Sequence, residues 1–181
     1  YPNVLSDPQC DQLLELHQHN LKLSQSGVRT PVHHHAKYDC WYWIRDPLKP
    51  QHHELYDSVT ETAWDLILEY QKSVPESFFW RKDGLLETWK VKSYDPTQDH
   101  SFPTHQDTVE PNTVSRFLAM LFYLNDSDAG THFPYLNHTV PARKGSAVLF
   151  PPYWLFPHEG EPPRIETKYI LNTYLCVPLA K

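Results

Sequence analysis

Three side chains in this sequence have the types and spacing to hold one metal ion. His105 and Asp107 flank Gln106, and His158 follows 51 residues after Asp107. Two imidazoles and one carboxylate are the facial donor set of a mononuclear non-haem Fe(II) site, which leaves three coordination positions open for chemistry. Residues 105 and 107 have the same parity. On an extended strand both side chains project from one face and reach one ion. Among 12 histidines and 22 acidic residues an H-x-D arises easily by chance, so a solvated surface turn is the competing reading. Two cations follow: Arg164 is six residues after His158 and Lys168 is ten. Either could hold a dicarboxylic co-substrate beside such an ion.

The order of the flanking segments weighs against chance. Arg116-Phe117-Leu118-Ala119-Met120-Leu121-Phe122-Tyr123-Leu124-Asn125 follows the H-x-D. Then come Ala129-Gly130-Thr131-His132-Phe133-Pro134 and a run from Val140 to Phe150 containing Gly145 and Ala147. His158-Glu159-Gly160-Glu161-Pro162 and Lys168-Tyr169 close the series. Taken in order, residues 86–177 resemble the catalytic domain of the 2-oxoglutarate- and Fe(II)-dependent prolyl 4-hydroxylases, whose motifs run in the same sequence.

The resemblance implies a fold, a reaction and roles. The fold would be α+β, a double-stranded β-helix (jelly roll) with N-terminal helices packed on its major sheet. The reaction would couple conversion of 2-oxoglutarate and O₂ to succinate and CO₂ with hydroxylation of a C–H bond, and ascorbate would serve as reductant. His105, Asp107 and His158 would bind Fe(II). The carboxylate ligand fills a position that an added halide would need, which favours hydroxylation over halogenation. Lys168 would hold the distal carboxylate of 2-oxoglutarate, with Tyr123 and Tyr94 near the same ligand. Tyr94 lies eleven residues before His105, where the family usually has nine, so Asp95–Asp99 reads as a two-residue insertion. Arg116, Tyr169 and Phe102 match positions near the substrate, Arg116 as a donor to a peptide carbonyl. Phe102 stands where Tyr is frequent and Ala119 where Thr is common. Both changes remove a hydroxyl from the pocket and bear on substrate identity. The substrate implied is a proline-containing peptide or protein. A free amino acid or other small molecule is the alternative, and a non-enzymatic jelly-roll binding module is the reading from another class.

Composition is consistent with this. The chain has 181 residues, 40% of them hydrophobic and 14% aromatic, enough to bury a sizeable core within a single domain. A net charge of −6 without a long basic run argues against nucleic-acid binding. No apolar run has membrane-spanning length. Three scattered cysteines and no visible signal peptide favour a cytoplasmic setting; the chain begins at Tyr1, which leaves upstream residues open.

The elements that must position these residues follow from pattern. Ser6-Asp7-Pro8-Gln9 reads as a capping box opening a helix with Cys10, Leu13, Leu14, His17 and Leu21 on one face. Tyr38 to Ile44 reads as an aromatic strand. A second helix is expected near Gln51–Lys72, with Leu55, Val59, Ala63, Leu66 and Tyr70 on one face. Strands are clearest at 85–94, 115–124, 146–150 and 167–177, which divides the chain into a mainly helical 1–84 and a jelly-roll core 85–181. His33-His34-His35 and His52-His53 chelate poorly, because adjacent side chains on a strand point to opposite faces. They read as a loop and a helix start. The segment from Gly27 to Lys37 reads as a lid over the site; Trp41, Trp43, Trp89 and Trp154 are candidate walls of a peptide groove, with most of the six tryptophans expected in the core.

Overall fold

A computed structural model describes residues 1–21, 36–43, 45, 52–74 and 84–177. The histidine run 33–35 and most of the expected lid lie outside these residues. Helix α1 spans Asp7–Leu21 and helix α2 His53–Ser73. The strands are β1 Asp39–Trp43, β2 Leu85–Leu86, β3 Trp89–Tyr94, β4 Phe102–His105, β5 Arg116–Tyr123, β6 Thr131–Phe133, β7 His138–Val140, β8 Ala147–Phe150, β9 His158–Gly160 and β10 Lys168–Cys176. None of the described helices is long and apolar enough to cross a membrane.

The capping box forms as written. The Ser6 backbone N–H donates to Gln9 Oε1 at 2.9 Å, and the Gln9 N–H donates back to Ser6 Oγ at 3.4 Å. Together they satisfy amides that the first turn leaves without helical partners. His52 and His53 stand at the start of α2, as expected.

All strand pairing is antiparallel, in two sheets. The larger has the order β1-β3-β10-β5-β8, with β2 also on β10; the smaller has the order β4-β9-β6-β7. β10 is the axis of the larger sheet, pairing Lys168 with Tyr94 on one side and Ile170 with Tyr123 on the other. Alternation along the strand sends Leu171 and Leu175 to one face and Ile170 and Tyr174 to the other. β5 does the same with Leu118, Met120 and Phe122 against Ala119, Leu121 and Tyr123. Both faces are buried, which is why β5 reads as an unbroken apolar run.

The first face packs on the helices. Cys10, Leu13, Val59, Ala63, Trp43, Trp89 and Phe122 form one core with it. His17 lies fully within this layer, bonded through Nε2 to Ser93 Oγ at 3.0 Å and set edge-on to Tyr169. Burial pushes its pKa down to about 4. The second face looks across a separate core, containing Tyr38, Phe102, Phe133 and Phe150, toward the smaller sheet. This is the double-stranded β-helix expected, with its helices on the major sheet. Of the four tryptophans proposed as groove walls, Trp43 and Trp89 are core residues, Trp41 packs partly against that core, and Trp154 is exposed.

Phe122 is fully buried between sheet and helices, edge-on to Trp89 with ring centroids 5.7 Å apart. Phe122→Ala should lower unfolding free energy by about 3–5 kcal/mol. Urea titration should show the midpoint falling with an unchanged slope; a midpoint within error of the parent would contradict this packing.

Candidate metal centre and its cavity

The smaller sheet brings the three expected ligands together. His105 ends β4 and His158 begins β9, and the two residues are cross-strand partners. Asp107 lies beyond the strand, so simple alternation does not place it. Its backbone does: its N–H donates to Pro152 O at 3.3 Å, and its carbonyl accepts from Arg116 Nη1 at 3.0 Å. The expected shared strand face thus becomes a strand end followed by a braced bend.

The donor atoms converge. His105 Nε2 is 3.5 Å from Asp107 Oδ1, and His158 Nε2 is 3.5 Å from Asp107 Oδ2. Suitable atoms of all three lie within 4.8 Å of one another, and this is the sole such group among the described residues. Each imidazole is held from behind, His105 Nδ1 against Pro103 O at 2.8 Å and His158 Nδ1 against Phe156 O at 3.2 Å. A carbonyl only accepts, so each Nδ1 carries the proton and each Nε2 presents a lone pair. Asp107 Oδ2 is buried and accepts no hydrogen bond among the described residues. Two lone pairs and an orphaned carboxylate oxygen in one buried spot fit a divalent ion.

The electrostatics favour the same state. Burial alone would raise the Asp107 carboxyl, but the facing imidazoles of His158 and His105, with Lys92, outweigh it and hold it well below the usual carboxylate range. Burial pushes His158 down to about 4. At neutral pH Asp107 is therefore a carboxylate and His158 a neutral imidazole, the forms that bind metal.

A cavity opens from this cluster onto the inner face of the larger sheet. Lys168, Tyr94 and Phe102 line it. Lys168 is 2% exposed; its Nζ donates to Gly130 O at 3.1 Å and Glu161 O at 2.7 Å and sits 4.8 Å from the Tyr94 ring centroid. Gly130 is required there, since a Cβ would strike the Val140 carbonyl oxygen. Burial pushes the Lys168 ammonium down to about 8, against the opposing pull of Glu161 and Asp128. The rival Arg164 is exposed, with its backbone N–H on Asp128, and is not among the cavity residues. Phe102 stacks on His105 with ring centroids 3.6 Å apart. Tyr123 stands one layer back, donating to Thr131 Oγ1 at 2.7 Å, and Thr131 lines the cavity. The extra residues after Tyr94 fold into a short 3₁₀ turn at Pro96–Gln98, capped by Asp95.

Two expected substrate residues sit differently. Tyr169 is on the opposite face of β10, against the helix core and His17, and does not reach the cavity. One position along an extended strand reverses a side chain, so a residue next to Lys168 could not share its face. Arg116 is engaged within the protein: Nε and Nη2 donate to both Glu87 carboxylate oxygens at 2.9 and 2.8 Å, and Nη1 braces Asp107. It borders a second groove that shares Asp107 with the cavity and includes Tyr42, Lys90 and Glu110.

Sequence reading missed Lys92, Thr131, Asn172 and Tyr174, all of which line the cavity. Parity held the signal for three of them. Lys92 is two from Tyr94, and Asn172 and Tyr174 are an even number from Lys168.

Residues 89–176 match the family model described as the 2OG-Fe(II) oxygenase superfamily. No curated protein sequence gives a significant match. Among solved structures, the chain is similar to a viral collagen prolyl hydroxylase of Paramecium bursaria Chlorella virus-1 in its 2OG complex, at 18% identity and TM-score 0.70 over 98% of this chain and 94% of that one. It is similar to a Pseudomonas putida prolyl-4-hydroxylase at 16% and 0.73, over 99% and 91%. It is also similar to a Trichoplax adhaerens prolyl hydroxylase in complex with a hypoxia inducible factor oxygen degradation domain peptide fragment, at 15% and 0.71, over 97% and 81%. At these identities the likeness establishes the fold.

The bracing of Asp107 generates a prediction. Asp107→Ala should abolish saturable Fe(II) binding, followed by tryptophan fluorescence under anaerobic conditions. Arg116→Ala should weaken it measurably, because the ligand loses its backbone support. Unchanged iron affinity in Arg116→Ala would show that the bend holds itself.

Proposed function

We propose that this chain, whose residues 89–176 match the model of the 2OG-Fe(II) oxygenase superfamily, is such an oxygenase and hydroxylates prolyl residues in a peptide or protein. His105, Asp107 and His158 would hold the iron, and Lys168 would anchor 2-oxoglutarate. One observation carries the reading: the metal-competent atoms converge at a cavity that also holds the buried ammonium of Lys168. Support for the prolyl substrate comes from the similar structures, three prolyl hydroxylases of which one holds a peptide.

When bound, Fe(II) with 2-oxoglutarate and O₂ supplies the oxidising chemistry that replaces a C–H by C–OH and releases succinate and CO₂. The chain's own residues do the rest. Lys168 pairs with the distal carboxylate and sets the length of the co-substrate against the metal. Leu121, Ile170 and Phe102 form apolar wall that keeps bulk water away. Tyr123 fixes the Thr131 hydroxyl at the same wall. The groove bordered by Tyr42, Glu110 and Arg116 offers an extended chain a path to the metal. Ascorbate would serve as the reductant.

The substrate class is tested with a panel of proline-containing peptides, Fe(II), 2-oxoglutarate and ascorbate. Mass spectrometry should find one oxygen atom gained on proline in step with succinate formation. Oxygen gained only by free amino acids or other small molecules would replace the peptide reading with the small-molecule one.

The anchor is tested separately. Lys168→Ala should raise the apparent KM for 2-oxoglutarate roughly ten- to a hundredfold, the worth of a hydrogen bond between charged groups. Arg164→Ala should change it little. With its ammonium pushed down to about 8, Lys168 is charged below that pH and neutral above it. Affinity for 2-oxoglutarate should therefore fall as pH rises through about 8, and Lys168→Arg should flatten that fall. A pH-independent KM across this window would argue for a different anchor.

A further inference from the structure

The cavity contains a second buried ammonium. Lys92 lies on the inner face of β3, two residues before Tyr94, and is 7% exposed. Its Nζ is 5.0 Å from the centroid of the Tyr38 ring and 5.2 Å from that of Phe102. Phe102 is itself stacked on His105, so Lys92 stands beside the metal end of the cavity.

Its neighbours on this face all have oxygen acceptors. Lys168 has two carbonyls, and Lys90 and Arg116 share Glu87. Among the described residues Lys92 has neither a hydrogen-bond acceptor nor a carboxylate partner within salt-bridge distance; its ammonium lies over two ring faces. Ring faces attract a cation, yet an ammonium carries three donors and loses its water when buried. Burial accordingly lowers its affinity for the proton. Asn172 lines the same cavity, and its Oδ1 accepts no hydrogen bond among the described residues. Two polar groups are therefore turned toward the cavity without a protein partner.

Charge balance says what would satisfy them. Asp107 offsets one of the two positive charges of a divalent ion. The dianion of 2-oxoglutarate offsets the other and Lys168. Lys92 is then left as one uncompensated positive charge in a site closed to bulk water, where such a charge is costly. Resting on the oxygenase reading above, we infer that Lys92 binds a carboxylate carried by the substrate, which makes the site selective for a substrate with an acid group close to the carbon that is hydroxylated. Where the substrate carries an N–H beside that acid, as a glutamyl peptide does, Asn172 Oδ1 accepts it. Lys92 is thus a specificity-determining residue, and a neutral peptide at this position would leave its charge unmet.

The test uses the protein loaded with Zn(II) and 2-oxoglutarate, which binds but does not turn over. Calorimetric titration compares N-acetyl-L-proline with N-acetyl-L-prolinamide, and Gly-Pro-Glu amide with Gly-Pro-Gln amide. The acid of each binding pair should bind roughly ten- to a hundredfold more tightly than its neutral partner. Lys92→Met should erase that preference while melting no lower than the parent and keeping its affinity for 2-oxoglutarate; Lys92→Arg should retain the preference. Equal binding of acid and neutral partner by the parent overturns the inference. So does a Lys92→Met variant that loses 2-oxoglutarate instead, which assigns Lys92 to the co-substrate. Parent protein that fails to bind 2-oxoglutarate at all would sink the oxygenase reading itself. Succinate formation without any acid preference sinks only the role of Lys92.

Discussion

A carboxylate buried between two imidazoles is the constraint on which this structure turns. Taking Asp107 out of water is costly unless opposite charge or hydrogen bonds replace the hydration. The chain supplies neither in full: Oδ2 is left without a hydrogen-bond partner among the described residues, and the Nε2 atoms of His105 and His158 approach the carboxylate only to 3.5 Å. The arrangement is an unfinished shell that a cation completes. The backbone of Asp107 is tied at its N–H and at its carbonyl, so this strained electrostatic position does not relax by moving away.

Alternation along β10 then distributes the remaining duties. Its odd-numbered residues Tyr169, Leu171 and Leu175 join the helix core, while Lys168, Ile170, Asn172 and Tyr174 face the cavity. A single nine-residue strand is in this way both the floor of the helical layer and the wall of the site. The helices have no residue in the cavity, yet they fix the plane from which Lys168 and Lys92 project. A loosened helix layer would be felt at the ligands through the tilt of this strand.

The long elements were legible because their patterns are long. The face Cys10, Leu13, His17 and the face Leu55, Val59, Ala63, Leu66 recur at helical period, and β5 and β10 are long apolar runs with few interruptions. The smaller sheet was not legible. β4, β6, β7 and β9 have three or four residues each and contain His, Thr, Pro and Glu, which is too short and too polar for any period to show. The metal ligands were readable as a motif even though they stand on those strands. Their convergence was expected for a simpler reason than the true one, since strand parity does not extend past His105. Tyr169 shows the cost of taking a role from position in a motif without asking which face the residue occupies. Arg116 shows a different blind spot: its partner Glu87 is 29 residues away, and nothing local announces the pair.

Lys168 is tied by its ammonium to two loops at once, through Gly130 after β5 and Glu161 after β9. A free lysine side chain samples many rotamers, and freezing one on ligand capture costs about 1.5–2 kcal/mol of conformational entropy. Here that ordering has been completed during folding. A carboxylate arriving at the cavity meets a stationary charge, with no chain to be stilled first, and its recognition becomes a matter of docking. The same tether joins the two loops to each other, so the rim of the site stays closed on that side before any ligand arrives.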